Sequence, residues 1–231
     1  MLNLRSLAGP GIKAVKDNWR AIVLIQICFI AFVIVYYTVP SMQALPQQIE
    51  AFKNRIGPKI FVVGIIWFVS ILIPEAAKRL TKSKVESLTW KDLTLRMVYF
   101  AAIGISVDYL YTWMGATYGN GPHLSTVAKK VATDMFLYSP LVSMPLAAIT
   151  FLYRDMDFSW PRTQAALRQG EFLKRFMPLL VTCWMYFGPV TMAMYSLPVE
   201  LNFPVAMTAN AAWGLIVLSV GANATPEGEL V

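Results

Sequence analysis

The chain has 231 residues, of which 57% are hydrophobic and only 14% charged, and its mean hydropathy is +0.53. A soluble domain carries nearer a quarter charged residues, so the composition argues against an ordinary water-soluble globule. The net charge of +7 raises nucleic acid as a partner, but the placement of the basic residues points elsewhere.

In chain order, the first 20 residues are basic (Arg5, Lys13, Lys16, Arg20) and mildly amphipathic. Asp17 and a single serine make them a poor transit peptide. Residues 21–39 follow without a charge. Roughly 20 apolar residues cross about 30 Å of hydrocarbon, so this run is long enough to span. It is too long for a signal-peptide core, has no small-residue cleavage pattern after it, and is expected to be retained.

The stretch "PSMQALPQQIEAFKNRIGP" reads as a short surface helix bounded by Pro46 and Pro58. Residues 60–74 form a second apolar run, which Glu75 extends toward the interface. The basic loop "KRLTKSKVESLTWKDLTLR" offers Thr89 as an N-cap before Trp90 and Asp92. Residues 97–115 contain only Asp108 and residues 131–153 only Asp134. In "DMDFSWPRTQAALRQGEFLKRF", Ser159 is placed to cap a helix with Pro161 in its first turn. Trp160 would then lie at the headgroups.

Residues 176–197 and 201–222 carry no charge, and the final "NATPEGELV" is expected to be disordered. Pro140, Pro145, Pro178, Pro189 and Pro204 punctuate the spans, each removing a backbone donor that neighbouring helices must make good.

These continuous blocks are unlike the short alternating strands of a barrel. They predict an all-α, polytopic transmembrane helix bundle of five to six membrane helices with short interfacial amphipathic helices. With six spans, fifteen Lys and Arg fall on one side and five on the other. The positive-inside rule then puts the N-terminus on the cytoplasmic or matrix-like side. The basic charge is thus a topology signal, and the lipid bilayer, not nucleic acid, is the expected partner. Cys28 and Cys183 both fall within spans and read as small packing residues, with no disulfide or metal site expected.

Ionisable groups inside a membrane face the bundle interior or water. Asp108, in mid-span with Tyr111 three residues on, is the first candidate for a polar interior or pore lining. Lys130 and Asp134 are the second, since four residues apart on a helix they share a face and can pair. Such a pair serves either as a lining for an ion or solute path or as a clasp that fixes helix register. His123 is the only histidine, and no H-E-x-x-H, G-x-S-x-G or phosphate-cradling glycine loop occurs. No catalytic residue, metal or cofactor is expected.

"KKVATDMFLYSP", with Lys129 and Pro140, resembles the KK-x-x-x-D-x-x-x-x-x-P segment of the Mpv-seventeen / 22-kilodalton peroxisomal membrane protein family. "WKDLTLRMVYFAAIG" is similar to that family's W-x-D-x-x-R-x-x-R stretch leading to a glycine, with Trp90, Asp92, Arg96 and Gly104 as the matching positions, and Trp113 is kept farther on. Trp184 and Pro189 lie near its W-x-x-W-P region, and Pro198, Trp213 and Ser219 near its closing signature. Asp108 and Tyr111 stand where the family has proline and histidine, and 21–39 is an additional span. The resemblance covers about residues 58–220. It implies a channel-like integral protein of the mitochondrial inner membrane, the peroxisome or a related membrane, with the bacterial inner membrane also open.

The chain accordingly divides into an N-terminal segment with the extra helix (1–57), a family-like bundle (58–222) and a tail (223–231). Two readings of function follow. One is a weakly selective pore for ions or small solutes that serves membrane homeostasis. The other is a non-conducting scaffold or assembly subunit that binds lipid, protein partners or further copies of itself. A carrier would show an internal repeat with broken helices, and no repeat is evident.

Overall fold

The computed structural model describes the backbone of residues 4–80 and 88–223, and side chains within 9–76 and 88–213 apart from Ala14 and Ala21. Among the described residues the chain is helical, with no strand, as the continuous apolar blocks predict. The helices are α1 (Leu4–Asp17), α2 (Trp19–Thr38), α3 (Leu45–Ile56), α4 (Pro58–Trp67), α5 (Ile73–Leu80), α6 (Trp90–Tyr118), α7 (Leu124–Thr133), α8 (Met144–Asp155), α9 (Trp160–Arg168), α10 (Glu171–Tyr195) and α11 (Val199–Asn223).

Four stretches are long and apolar enough to cross a membrane: Pro58–Ala76, Trp90–Tyr118, Leu124–Asp155 and Glu171–Tyr195. A fifth arises if Gly9–Asp17 and Ile22–Thr38, which meet at 71°, count as one bent span. Five meets the lower bound of the sequence reading. The expected sixth, 201–222, follows α11, whose side chains beyond Trp213, Ser219 among them, lie outside the described residues. So does the tail beyond Asn223.

The local signals act as their chemistry dictates. Thr89 caps α6, its Oγ1 accepting from the Asp92 amide at 3.2 Å. Pro46 and Pro161 stand in the first turns of α3 and α9, where a missing N–H costs nothing. Ser159 holds the N-cap position of α9, but through its carbonyl, which accepts from Thr163, and not through its side chain.

Two spans contain π-helical segments, Phe68–Leu72 and Asp134–Ser143. Each lies where a proline cannot bond the carbonyl four residues back: Pro74 after the first, Pro140 and Pro145 within and after the second. The chain answers by widening the turn, so that Ile73 N–H bonds the Phe68 carbonyl and Met144 N–H the Ser139 carbonyl. A carbonyl left over in the longer segment, that of Met135, accepts from the Trp184 indole at 2.7 Å. Inside hydrocarbon every backbone group needs such a partner.

The core runs down the bundle through Val62, Ile66, Met114, Val190, Met194 and Leu201. Gly104 lets α6 lie against α4, since a Cβ there would stand 3.1 Å from Ile66 Cγ2. The N-terminal segment joins the same core: α2 contributes Phe29 and Tyr36. Most of the basic, mildly amphipathic first 20 residues form α1, which packs along α10. Gly11 permits that approach, with room for no Cβ beside the Pro178 carbonyl.

Candidate functional site

Asp108 sits on α6, ten residues before the helix ends. A carboxylate at that depth needs a cation or water, and two lysines from one distant segment supply the cation. Lys53 of α3 reaches Oδ1 at 2.9 Å, and Lys59 of α4 reaches Oδ2 at 3.1 Å. The α3–α4 turn makes this possible: Gly57 takes a positive φ of 96° between two proline-led helices, aiming both lysines at α6. Lys59 also lies 3.8 Å from the centre of the Tyr109 ring, a cation–π contact.

The clasp forms one wall of a cavity of about 420 Å³ between α3, α6 and the start of α11. Its lining includes Lys53, Asp108, Tyr111, Asn120, Glu200 and Phe203. The Asp108 side chain is 10% exposed, Lys53 28% and Lys59 46%. The pair is therefore held but not sealed. Segment 40–57, expected to lie as a helix on the surface, does form one, and it also covers this cavity.

Behind the cavity lies a second polar layer. Lys130, wholly buried, donates to Asn120 Oδ1 at 3.0 Å. Tyr111 meets Tyr195 edge to face at 5.7 Å, and Tyr195 donates its hydroxyl to Asp134 Oδ2 at 2.6 Å. Further along the same wall, Ser106 and Tyr138 share a 2.6 Å hydrogen bond.

The Lys130–Asp134 ion pair that the four-residue spacing predicts does not form; it is absent from the ion pairs among the described residues. Asp134 N–H still bonds the Lys130 carbonyl, so the backbone between them is α-helical, but each side chain takes another partner: Asn120 for Lys130 and Tyr195 for Asp134. The Lys130 stem turns back toward the helix N-terminus, as helical side chains do, and meets Asn120 in the preceding loop.

The other residues singled out in sequence take structural positions. Trp90 is exposed at the start of α6, and Asp92 pairs with Arg96 at 2.9 Å one turn on. Trp113 is half exposed, against Tyr118, and Lys129 is exposed. Pro140 sits in the π segment, Pro189 within α10, and Pro198 just ahead of α11, where its carbonyl accepts from Leu201 N–H. Trp213 packs on Tyr186 at 4.9 Å.

Sequence reasoning missed Lys53, Lys59, Asn120 and Tyr195. A usable signal existed: the first loop holds three of the five basic residues on the less basic side, opposite an unpaired intramembrane aspartate.

The chain is thus an all-helical protein with at least four helices able to cross a membrane and a layered polar interior reached by a cavity. A scan against models of known protein families, a search of curated proteins and a search of solved structures each returned no match.

Proposed function

We propose that the protein is an integral membrane protein forming a weakly selective path for ions or small solutes, with its mouth at the Asp108 cavity. The proposal extends to kinship with the Mpv-seventeen / 22-kilodalton peroxisomal membrane protein family, on the motifs quoted above. One observation carries the reading. A cavity of about 420 Å³ reaches Asp108 and Tyr111, and polar groups continue behind it through Asn120, Lys130, Tyr195 and Asp134. In this reading Lys53 and Lys59 set the charge at the mouth, and the protein acts without catalysis. The N-terminus lies on the positively charged side of a mitochondrial inner, peroxisomal or bacterial inner membrane.

A second reading draws on the clasp itself. Both oxygens of Asp108 are taken by lysines, which is how a register-fixing lock in a non-conducting scaffold would be built. Flux of small ions and neutral solutes from liposomes holding purified protein separates the two. The pore reading expects flux above protein-free vesicles, with selectivity changed in Asp108→Asn and Asp134→Asn. Flux no greater than in empty vesicles, with partners or copies of the chain co-purifying, would establish the scaffold instead.

A further inference from the structure

At the opposite end of the bundle, α8 finishes and α10 begins around a groove of about 280 Å³. Ala148 and Phe151 of α8 and Lys174, Arg175, Pro178 and Leu179 of α10 line it. The order along α10 matters. Lys174 and Arg175 stand near the start of a membrane-crossing helix, and Pro178 and Leu179 lie four residues farther in, about 6 Å deeper at 1.5 Å per residue. The groove is therefore cationic at headgroup level and apolar below.

We infer that this groove seats one anionic phospholipid, its phosphate on Lys174 and Arg175 and the start of an acyl chain along Phe151, Pro178 and Leu179. Charge complementarity commits the site to that occupant. Lys174 and Arg175 stand at one end of two adjacent membrane-crossing stretches, and basic pockets between membrane helices attract anionic headgroups.

The cations are arranged for exchange. Asp155 holds Arg175 at 2.5 Å and Arg154 at 2.7 Å, fixing both guanidinium groups, and Arg154 lies 5.3 Å over the Phe151 ring. Lys174 pairs with Glu171 at 2.6 Å, but its side chain is 52% exposed, and exposed pairs of this kind contribute little. Three cations against two carboxylates leave one positive charge for a phosphate. A free phosphate ion would use the cations and leave the apolar half of the groove unused. The inference is independent of whether the Asp108 cavity conducts.

The test is retention of lipid by the purified full chain, read by native mass spectrometry after exchange into mixtures of phosphatidylglycerol and phosphatidylcholine. The wild type is expected to retain phosphatidylglycerol preferentially. Lys174→Gln should lower that preference about fivefold, and adding Arg175→Gln about fivefold again. Leu179→Trp, which fills the apolar half with the charges intact, should also lower retention. Arg162→Gln, which loses only an exposed pair with Asp157 outside the groove, should leave it unchanged. An undiminished preference in Lys174→Gln, an exposed site where misfolding is not at issue, would overturn the inference. So would equal losses in Arg162→Gln, which would mark general surface charge, or displacement of the lipid by millimolar inorganic phosphate, which would mark an ion site only.

Discussion

Asp108 and Asp134 are both single carboxylates carried into apolar helices, and the fold holds them in opposite ways. Asp108 has two partly exposed ammonium groups on it and faces a cavity that it lines together with Lys53. Asp134 is buried, lies behind that cavity and is held by one phenol, the hydroxyl of Tyr195. The difference follows from what each helix has for a neighbour. Asp108 stands near the end of α6, within reach of the flexible stems of two lysines, Lys53 on the covering helix α3 and Lys59 at the start of α4. Asp134 stands against α10, where a rigid ring is all that can enter. A carboxylate at the rim of a bundle can borrow charge from partly exposed lysines at neighbouring helix ends, whereas one inside it must rely on hydrogen bonds from the helices packed against it.

The comparison is most exposed to breakage at its buried half. Asp134→Ala strands the Tyr195 hydroxyl in the core and removes a hydrogen bond to an ionisable group, and is expected to cost about 2–3 kcal/mol. Asp108→Ala leaves Lys53 and Lys59, 28% and 46% exposed, free to turn toward water, and is expected to cost about 1 kcal/mol or less. Unfolding of both variants in mixed detergent micelles measures the order. If Asp108→Ala proves the costlier, the rim carboxylate is the structural one and the contrast reverses.

The link between the two layers can be strained through Gly104. A leucine there would push on Ile66 and Val62, whose methyl carbons already stand 3.1–3.4 Å from where a Cβ would be. Overpacking of this kind typically costs about 1–3 kcal/mol. Because Lys59 rides on α4, displacement of that helix should also loosen the clasp. Gly104→Leu is therefore expected to lower stability by about 2 kcal/mol and to speed labelling of a cysteine introduced at position 112 on the cavity wall. Lost stability with unchanged labelling would show that the clasp does not depend on the α4–α6 fit.

How far these features are legible in the sequence divides along the same line. The spans, the Thr89 cap and the helix between Pro46 and Pro58 are local: a run of apolar residues, an oxygen at the right position, a ring that fixes φ. Each depends on a few adjacent residues. The clasp does not, because Lys53 and Asp108 are 55 residues apart and no periodicity relates a lysine on one helix to a carboxylate on another. The Lys130–Asp134 pair was misread for a different reason. The four-residue spacing puts both on one α-helical face, but Lys130 is taken by Asn120 and Asp134 by Tyr195, and the wider turn that Pro140 and Pro145 impose comes only after that turn. The prolines are visible in the sequence, but where the turn widens depends on which freed carbonyls find a partner. For Met135 that partner is Trp184, whose indole N–H reaches across from α10.

The smallest expected effect comes from the adjacent lysines of α7. Lys129 and Lys130 are the same residue type one position apart, which on a helix turns them about a hundred degrees from each other. Lys130 is therefore wholly buried on Asn120, and Lys129 is exposed. If burial and partners decide the outcome, Lys129→Gln should change stability by no more than about 0.5 kcal/mol, as surface substitutions usually do. Lys130→Gln, by contrast, leaves Asn120 and the space beside Tyr195 without the ammonium, and should fall between the Asp108 and Asp134 variants. The same unfolding measurement reads both. A Lys129→Gln loss above about 1 kcal/mol would mean that this lysine has a partner in the assembled membrane protein, and the paired-lysine motif would then owe its form to that contact and not to Lys130 alone.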